Sequence, residues 1–317
     1  ETVFTLNLKE GEQLHPVLQT ARKAGRTHFL QAAEHARKLS GYREPEAVNE
    51  PVFTGRLRRE GYTIEKYFVR GEGDYVIPYL LMKPEEPNSK ALIYLHPEGK
   101  SAASGVGGAM EWFAMQGFTV LAPDLAGTGE TGPGVFRGDS YIDSVSYNIW
   151  FASILIGRSI TGIQAGDVVR LARLLLAGKG VESVYGLAER QMAPVLLQAA
   201  AFERSIAAVA LIEPFSSYRA LLTERYYDPD FIHSAVAGSA GLYDLPDLAA
   251  GLAPRKLVIA GLRDAGGGAA SGELPVTDME IIRSAYRNLD ARGQFQVMPG
   301  SSGKELLNVY KKWIGGN

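Results

Sequence analysis

The residues best placed to do chemistry lie in VESVYGLAERQMAPVLLQAAA, positions 181–201. Val181, Val184 and Tyr185 around Glu182 read as a short buried strand, Gly186 as a turn, and a helix is expected to open near Glu189. Met192, Val195, Leu196 and Ala199 recur at three-and-four spacing, which gives that helix one buried face. A strand, a tight turn and an immediate helix form the layout that presents a nucleophile for acyl transfer, in the pattern small-x-nucleophile-x-small. Over Gly186-Leu187-Ala188-Glu189-Arg190 the pattern puts Ala188 at the nucleophile position. A methyl group cannot attack a carbonyl, so the form of the site is expected here without its reagent. Glu189, one place on, could act as a carboxylate nucleophile or base only with a second carboxylate across from it. A glutamate favoured by the positive end of a helix is the plainer reading.

Positioning such a turn takes a sheet, and the rest of the chain supplies one. Residues 1–40 read as a helical extension ended by Gly41-Tyr42-Arg43-Glu44-Pro45. Its His15, His28 and His35 have no acidic or Cys partner at ligand spacing, so they read as surface or packing residues rather than metal ligands. Residues 62–70 and 75–83 alternate as paired strands around Gly71-Glu72-Gly73-Asp74. ALIYLH at 91–96 is the continuous apolar run of a strand buried on both faces. A helix at 106–116 and a strand at 118–123 lead into the glycine-rich loop DLAGTGETGPG at 124–134, which lacks the Lys-Ser/Thr of a phosphate loop.

Helices are expected at 140–157 and 163–177, and buried strands at 205–212 and 256–262. Between those strands an excursion at 226–251 holds a short helix around 245–252, and a helix at 276–291, a strand at 294–298 and an amphipathic helix at 304–314 close the chain. This alternation makes an α/β fold: a mostly parallel, twisted sheet with helices on both faces and an antiparallel opening pair. Residues 1–50 are expected to pack as an extension on a main domain of 51–317. Trp112, Trp150, Tyr141, Tyr147 and Phe151 fall mostly at core spacing, with one or two free to stack on a sugar.

Bulk composition sets the outer limits. The chain has 317 residues, 46% hydrophobic and 21% charged, enough for a sizeable core. A net charge of -2, with Lys and Arg scattered, argues against nucleic acid or an anionic membrane surface as partner. No apolar run reaches the roughly 18–20 residues of a membrane span. Cysteine is absent, which removes disulfides, thiolate metal sites and a Cys nucleophile. No cofactor pattern is read. A start at Glu1 rather than Met is expected of a mature or trimmed product.

Four segments in order, YLHPEGK at 94–100, VLAPDLAGTGETG at 120–132, VYGLAERQMAPVLLQAA at 184–200 and LYDLPDLAAGLAPRKLVIAGLRDA at 242–265, resemble the α/β-hydrolase fold. Within it they resemble the acetyl xylan esterase-like carbohydrate esterases, over residues 52–314. The resemblance implies an oxyanion-loop position at His96, in His96-Pro97-Glu98-Gly99, and an acid position at Asp264, in GLRDAGGG. Taken from the residues alone, Asp264 reads equally well as a turn aspartate before a glycine run, and His96 as a packing residue. The resemblance also implies a base histidine after the last strand, where this chain reads Pro299-Gly300-Ser301-Ser302-Gly303. The last of the five histidines, His233, precedes Asp264 and lies in the excursion, the one place from which a stand-in base could come.

The implied protein is therefore a pseudo-esterase: a degenerate triad with the nucleophile position vacated at Ala188, no base near Ser301, and Asp264 vestigial. Long members of the group often carry two such domains, so a second hydrolase domain in the same polypeptide is an expected partner, and a carbohydrate an expected ligand. Resemblance to enzymes of plant polysaccharides implies an extracytoplasmic location, periplasmic or secreted. Two other readings stand beside this one: an active carbohydrate esterase carrying a Ser-to-Ala change at the nucleophile, and a carbohydrate-binding module using the former cleft.

Overall fold

The computed structural model describes residues 1–46, 50–132, 141–142, 145–300 and 302–315. Two helices come first, α1 (Val3–Arg22) and α2 (Arg26–Ser40). Thr2 and Thr5 cap the start of α1 reciprocally, each hydroxyl taking the other's backbone N–H at 3.2 and 2.8 Å. Gly41 ends α2 in the left-handed conformation a C-cap favours. Three antiparallel strands follow, β1 (Val52–Arg59), β2 (Tyr62–Arg70) and β3 (Val76–Pro84). Then come β4 (Lys90–Leu95), α3 (Ala109–Met115), β5 (Thr119–Pro123), a two-stranded ribbon of β6 (Tyr141–Ile142) and β7 (Val145–Ser146), α4 (Asn148–Leu155) and α5 (Ile160–Ala177). The second half runs β8 (Ser183–Glu189), α6 (Ala193–Phe202), β9 (Ile206–Ile212), α7 (Tyr218–Thr223), α8 (Leu245–Gly251), β10 (Lys256–Ala260), α9 (Glu273–Asn288), β11 (Phe295–Met298) and α10 (Gly303–Ile314).

Nine strands form one sheet in the order β1-β2-β3-β5-β4-β8-β9-β10-β11. Pairing is antiparallel from β1 through β3 to β5 and parallel from there on. The chain leaves β4 toward β5 and returns past it to β8, so the strand order reverses at β4. In open α/β sheets the crevice beyond the C-terminal ends of the strands at such a reversal is where ligands bind.

Alternation along β4 divides the core. Ala91, Ile93 and Leu95 face a large cluster with α5, α6 and α8, whereas Leu92 and Tyr94 face a second one with α3 and α10. The N-terminal helices lie against the first layer. Arg22 donates to both oxygens of the buried Asp247, at 2.7 and 2.9 Å, in the first turn of α8. Burial alone would raise the Asp247 carboxyl, but hydrogen bonds from His28 and Arg22 outweigh it and hold the group below its ordinary range.

Two expectations change. Strand β1 carries Arg56, Arg58 and Arg59 on a mostly exposed sheet edge, so it has none of the apolar alternation that marked its neighbours. The helix expected at 140–157 is shorter, since β6, β7 and α4 share that stretch, of which residues 140, 143 and 144 lie outside the described residues.

Candidate functional site

Strand β8 runs three residues beyond the expected turn at Gly186 and places Ala188 in the sheet. Ala188 pairs with Leu95 of β4 and Leu211 of β9 and is fully buried. Gly186 also lies inside the strand, and a Cβ there would come within 2.5 Å of Leu196 Cδ1. Its smallness lets α6 pack on the sheet; it makes no turn. The reversal comes at Arg190, whose φ of +47° is the left-handed value a sharp strand-to-helix turn needs. Residues 190–192 form one tight turn, and α6 opens at Ala193 with Pro194 in its first turn. Around that reversal the sequence reads Ala188-Glu189-Arg190-Gln191-Met192.

The Arg190 guanidinium reaches across to the excursion, with Nη2 at 3.1 Å from Asp228 Oδ2 and 3.3 Å from Asp230 Oδ2. Burial and the neighbouring Asp228 raise the Asp230 carboxyl above its usual range, with Arg190 pulling the other way. Glu189 is held from the sheet side. Its Oε1 accepts the Tyr94 hydroxyl, and its Oε2 lies 3.6 Å from His96 Nε2. Burial, then the nearby Tyr310 and Glu189, push the Tyr94 phenol well above its ordinary pKa. His96 Nδ1 accepts the Glu98 backbone N–H at 3.1 Å, which leaves Nε2 on the side of Glu189.

The loop after β4 is tied to the glycine-rich loop after β5. Asp124, 1% exposed, accepts the backbone N–H of Lys100 at 2.7 Å and of Glu130 at 3.0 Å and pairs with the Lys100 ammonium, which also reaches Glu130 at 2.7 Å. Gly99 and Gly129 have φ of +89° and +51°, and a Cβ on either would come within 2.3 and 2.1 Å of that carboxylate. These glycines are therefore needed to wrap a carboxylate; Gly134, at the end of the same run, lies outside the described residues.

Asp264 is taken up by its own loop. Its Oδ1 accepts the Gly268 N–H at 2.8 Å, and its N–H donates to the Gly268 carbonyl at 2.9 Å, the arrangement of a turn aspartate. The loop touches the excursion through the Asp228 N–H, which donates to the Ala265 carbonyl at 2.7 Å. His233 points elsewhere, with Nε2 at 2.5 Å from the Ser146 carbonyl. Of the stretch expected to hold a base, Ser301 lies outside the described residues, and Pro299, Gly300, Ser302 and Gly303 carry no imidazole. The structure thus brings His96 to Glu189, places Arg190 beside the excursion, and leaves Ala188 in the core and Asp264 in a turn.

Trp112 stacks in the core against Phe113 and Tyr310, at 4.9 and 5.6 Å between ring centroids. Trp150, with Tyr218 and Tyr227, lines a cavity of about 620 Å³ beside α4 and the start of α1. Among the described residues no group of three or more acids and histidines is placed to hold a metal ion, and no helix is long and apolar enough to cross a membrane. Sequence reading passed over Arg190, Tyr94, Asp228 and Asp230. The available signal was the charged pair Glu189-Arg190, which marks where the strand leaves the core.

No protein-family model and no curated protein matches this sequence. Solved structures do match in fold. One from Bacteroides fragilis NCTC 9343, described as a candidate acetyl xylan esterase, superposes with a TM-score of 0.67 at 15% identity, over 86% of this chain and 75% of that one. The acetyl xylan esterase from Paenibacillus sp. R4 gives 0.60 at 15% identity, over 91% and 95%. A glucuronoyl esterase from Solibacter usitatus gives 0.58 at 13%, over 92% of each chain. At such identities the likeness is one of architecture: this chain has the α/β-hydrolase fold, of the kind found in carbohydrate esterases.

Proposed function

We propose that this chain is a pseudo-esterase, an α/β-hydrolase-fold domain that does not hydrolyse esters by a serine mechanism. The observation that carries the reading is Arg190, a guanidinium paired to two aspartates at the left-handed turn after β8 where this fold presents its nucleophile. The vacated position is then Arg190 rather than Ala188. Loss of nucleophile or base in such a triad costs about 10⁶ in turnover, about 8 kcal/mol of barrier. His96, whose Nδ1 takes the Glu98 N–H and whose Nε2 faces Glu189, does not replace the base, and Asp264, bonded within its own turn, has no imidazole to orient. The burial of Ala188 weighs against an esterase disabled by a Ser-to-Ala change there, because a hydroxyl at that position would sit in the core.

The role we assign is ancillary, in an extracytoplasmic polysaccharide-processing protein whose second hydrolase domain carries the activity, with the N-terminal helices as an extension of this one. Support for the substrate class is the named activity of the structural neighbours, acetyl xylan esterases and a glucuronoyl esterase. The aromatic-lined cavity at Trp150 favours a second reading, sugar binding without turnover. One experiment addresses both: release of acetate from 4-nitrophenyl acetate and acetylated xylan, alongside calorimetry with xylo-oligosaccharides. Turnover should equal the blank. Turnover well above the blank that disappears in Glu189→Gln or His96→Ala would overturn the pseudo-esterase reading.

A further inference from the structure

A second cavity, of about 480 Å³, lies between the chain leaving α2, the β2–β3 turn and α5, and Arg43, Arg70, Glu72, Asp167 and Arg170 line it. Arg170 is 5% exposed, and its Nε is enclosed without a hydrogen-bond partner. A guanidinium carries five N–H donors, and removing it from water uncompensated costs several kcal/mol, so buried arginines are ordinarily matched by acceptors. Of the four acids that line it, Glu46 is exposed and the other three have partners elsewhere. Glu72 is held by Arg158 at 2.8 Å and Arg43 at 2.9 Å, and Glu44 by Arg37 at 3.2 Å and by Arg173. Asp167 accepts the Tyr75 hydroxyl at 2.8 and 2.9 Å. Burial pushes its carboxyl up to about 7 against the pull of the Tyr75 hydroxyl and the nearby Arg170 charge, so near neutral pH much of it is uncharged. Among the described residues Arg170 has no ion-pair partner.

We propose that this cavity is a binding site for a small oxyanion, a carboxylate or phosphate group, received by the Arg170 guanidinium. The planar fork of that side chain matches two oxygens of either group in a bidentate contact. Arg70, exposed at the mouth, adds positive charge along the approach. Room is provided by Gly166 on α5, where a Cβ would meet only the Arg43 carbonyl at 3.6 Å and the Tyr42 ring at 3.8 Å. None of these residues belongs to the cluster around Arg190, so the proposal stands apart from the pseudo-esterase reading.

The test is calorimetric titration and thermal unfolding of the full chain with sodium phosphate, sodium glucuronate and, as neutral control, glucose, all at constant ionic strength. At least one anion should bind saturably and raise Tm, as a ligand selective for the folded state must, while glucose does neither. Arg170→Met should weaken that binding by about tenfold or more. Gly166→Leu, which fills the cavity and keeps the guanidinium, should do the same, and it carries the test even if Arg170→Met does not fold. Binding of phosphate alone assigns a phosphate group, of glucuronate alone a carboxylate, and of both an unselective oxyanion site. No saturable binding of either anion up to about 50 mM, or equal binding by the native chain and Gly166→Leu, overturns the proposal.

Discussion

Arg190, at the turn after β8, and Arg170, in the middle of α5, differ in a way that neither exposure nor sequence context would suggest. The side chain of Arg190 is 34% exposed, could be solvated, and yet has two aspartates within 3.3 Å. Arg170 is almost wholly enclosed and, among the described residues, has no ion-pair partner. At the turn after β8 the fold pairs the guanidinium with its own aspartates. Beside α5 it has left a charge unsatisfied, at a cost that a ligand would offset. The partly solvated guanidinium is thus paired, whereas among the described residues the enclosed one is not.

The comparison can be broken by making a second unpaired buried charge. Lys100→Met would leave Asp124, 1% exposed, as the anionic counterpart of Arg170, although its two backbone donors would remain. Removing one partner of a buried pair typically costs about 3–5 kcal/mol. Urea unfolding should show a loss of that order. A loss below about 1 kcal/mol would mean that this fold tolerates buried unpaired charge, and Arg170 would then need no ligand to explain it.

A smaller effect separates the two regions by pH. The Asp167 carboxyl titrates near 3.8 when free and is raised to about 7 in the fold, chiefly by burial. Between those values the folded chain holds a proton that the unfolded chain has released, so this contribution to stability is fully present at low pH and falls as pH rises through the window. Asp244, also raised to about 7, adds to the slope. Asp167→Asn should flatten the decline in unfolding free energy between about pH 4.5 and pH 7.5 without removing it. An unchanged slope would mean that Asp167 is hydrated and its surroundings, the Arg170 cavity included, are wetter than drawn.

How much of this was legible in the sequence follows from what each feature depends on. Strands β4, β8, β9 and β10 are apolar runs because both of their faces are covered, and they could be read directly. Strand β1 is legible only through its partner, since an exposed edge imposes no alternation. Gly186 and Ala188 are small for reasons of packing, whereas the left-handed residue of the turn after β8 is an arginine, which no propensity marks. Arg170 was unreadable for a different reason. A charge in a mostly apolar helix looks like the solvent-facing position of an amphipathic pattern, and only tertiary contacts reveal that it is buried.

Substitutions at the elbow sharpen the comparison from the other side, and Ala188→Ser comes first. A hydroxyl enclosed between β4 and β9 without a planned partner should cost about 1–3 kcal/mol and leave ester turnover at the blank, measured by urea unfolding and with 4-nitrophenyl acetate. Restored turnover would put residue 188 in the cleft after all.

Arg190→Ser should do less to stability and is the stricter test. The ion pairs it removes are partly solvated, so the change in unfolding free energy should stay within about 1 kcal/mol. Its clearest trace should be in the carboxylate left behind. Arg190 is the nearest group opposing the upward pull of burial and Asp228 on Asp230, so the Asp230 carboxyl, followed by NMR, should titrate higher in the variant than in the native chain. Turnover should remain at the blank, because a serine at the left-handed position has the right backbone and no base: His96 is turned toward Glu189, and Asp264 is closed in its own turn. If Arg190→Ser alone hydrolysed 4-nitrophenyl acetate at a rate well above the native chain, a base would have to exist within reach of the turn. The charge closure of the cleft would then be the work of one side chain rather than of the whole site.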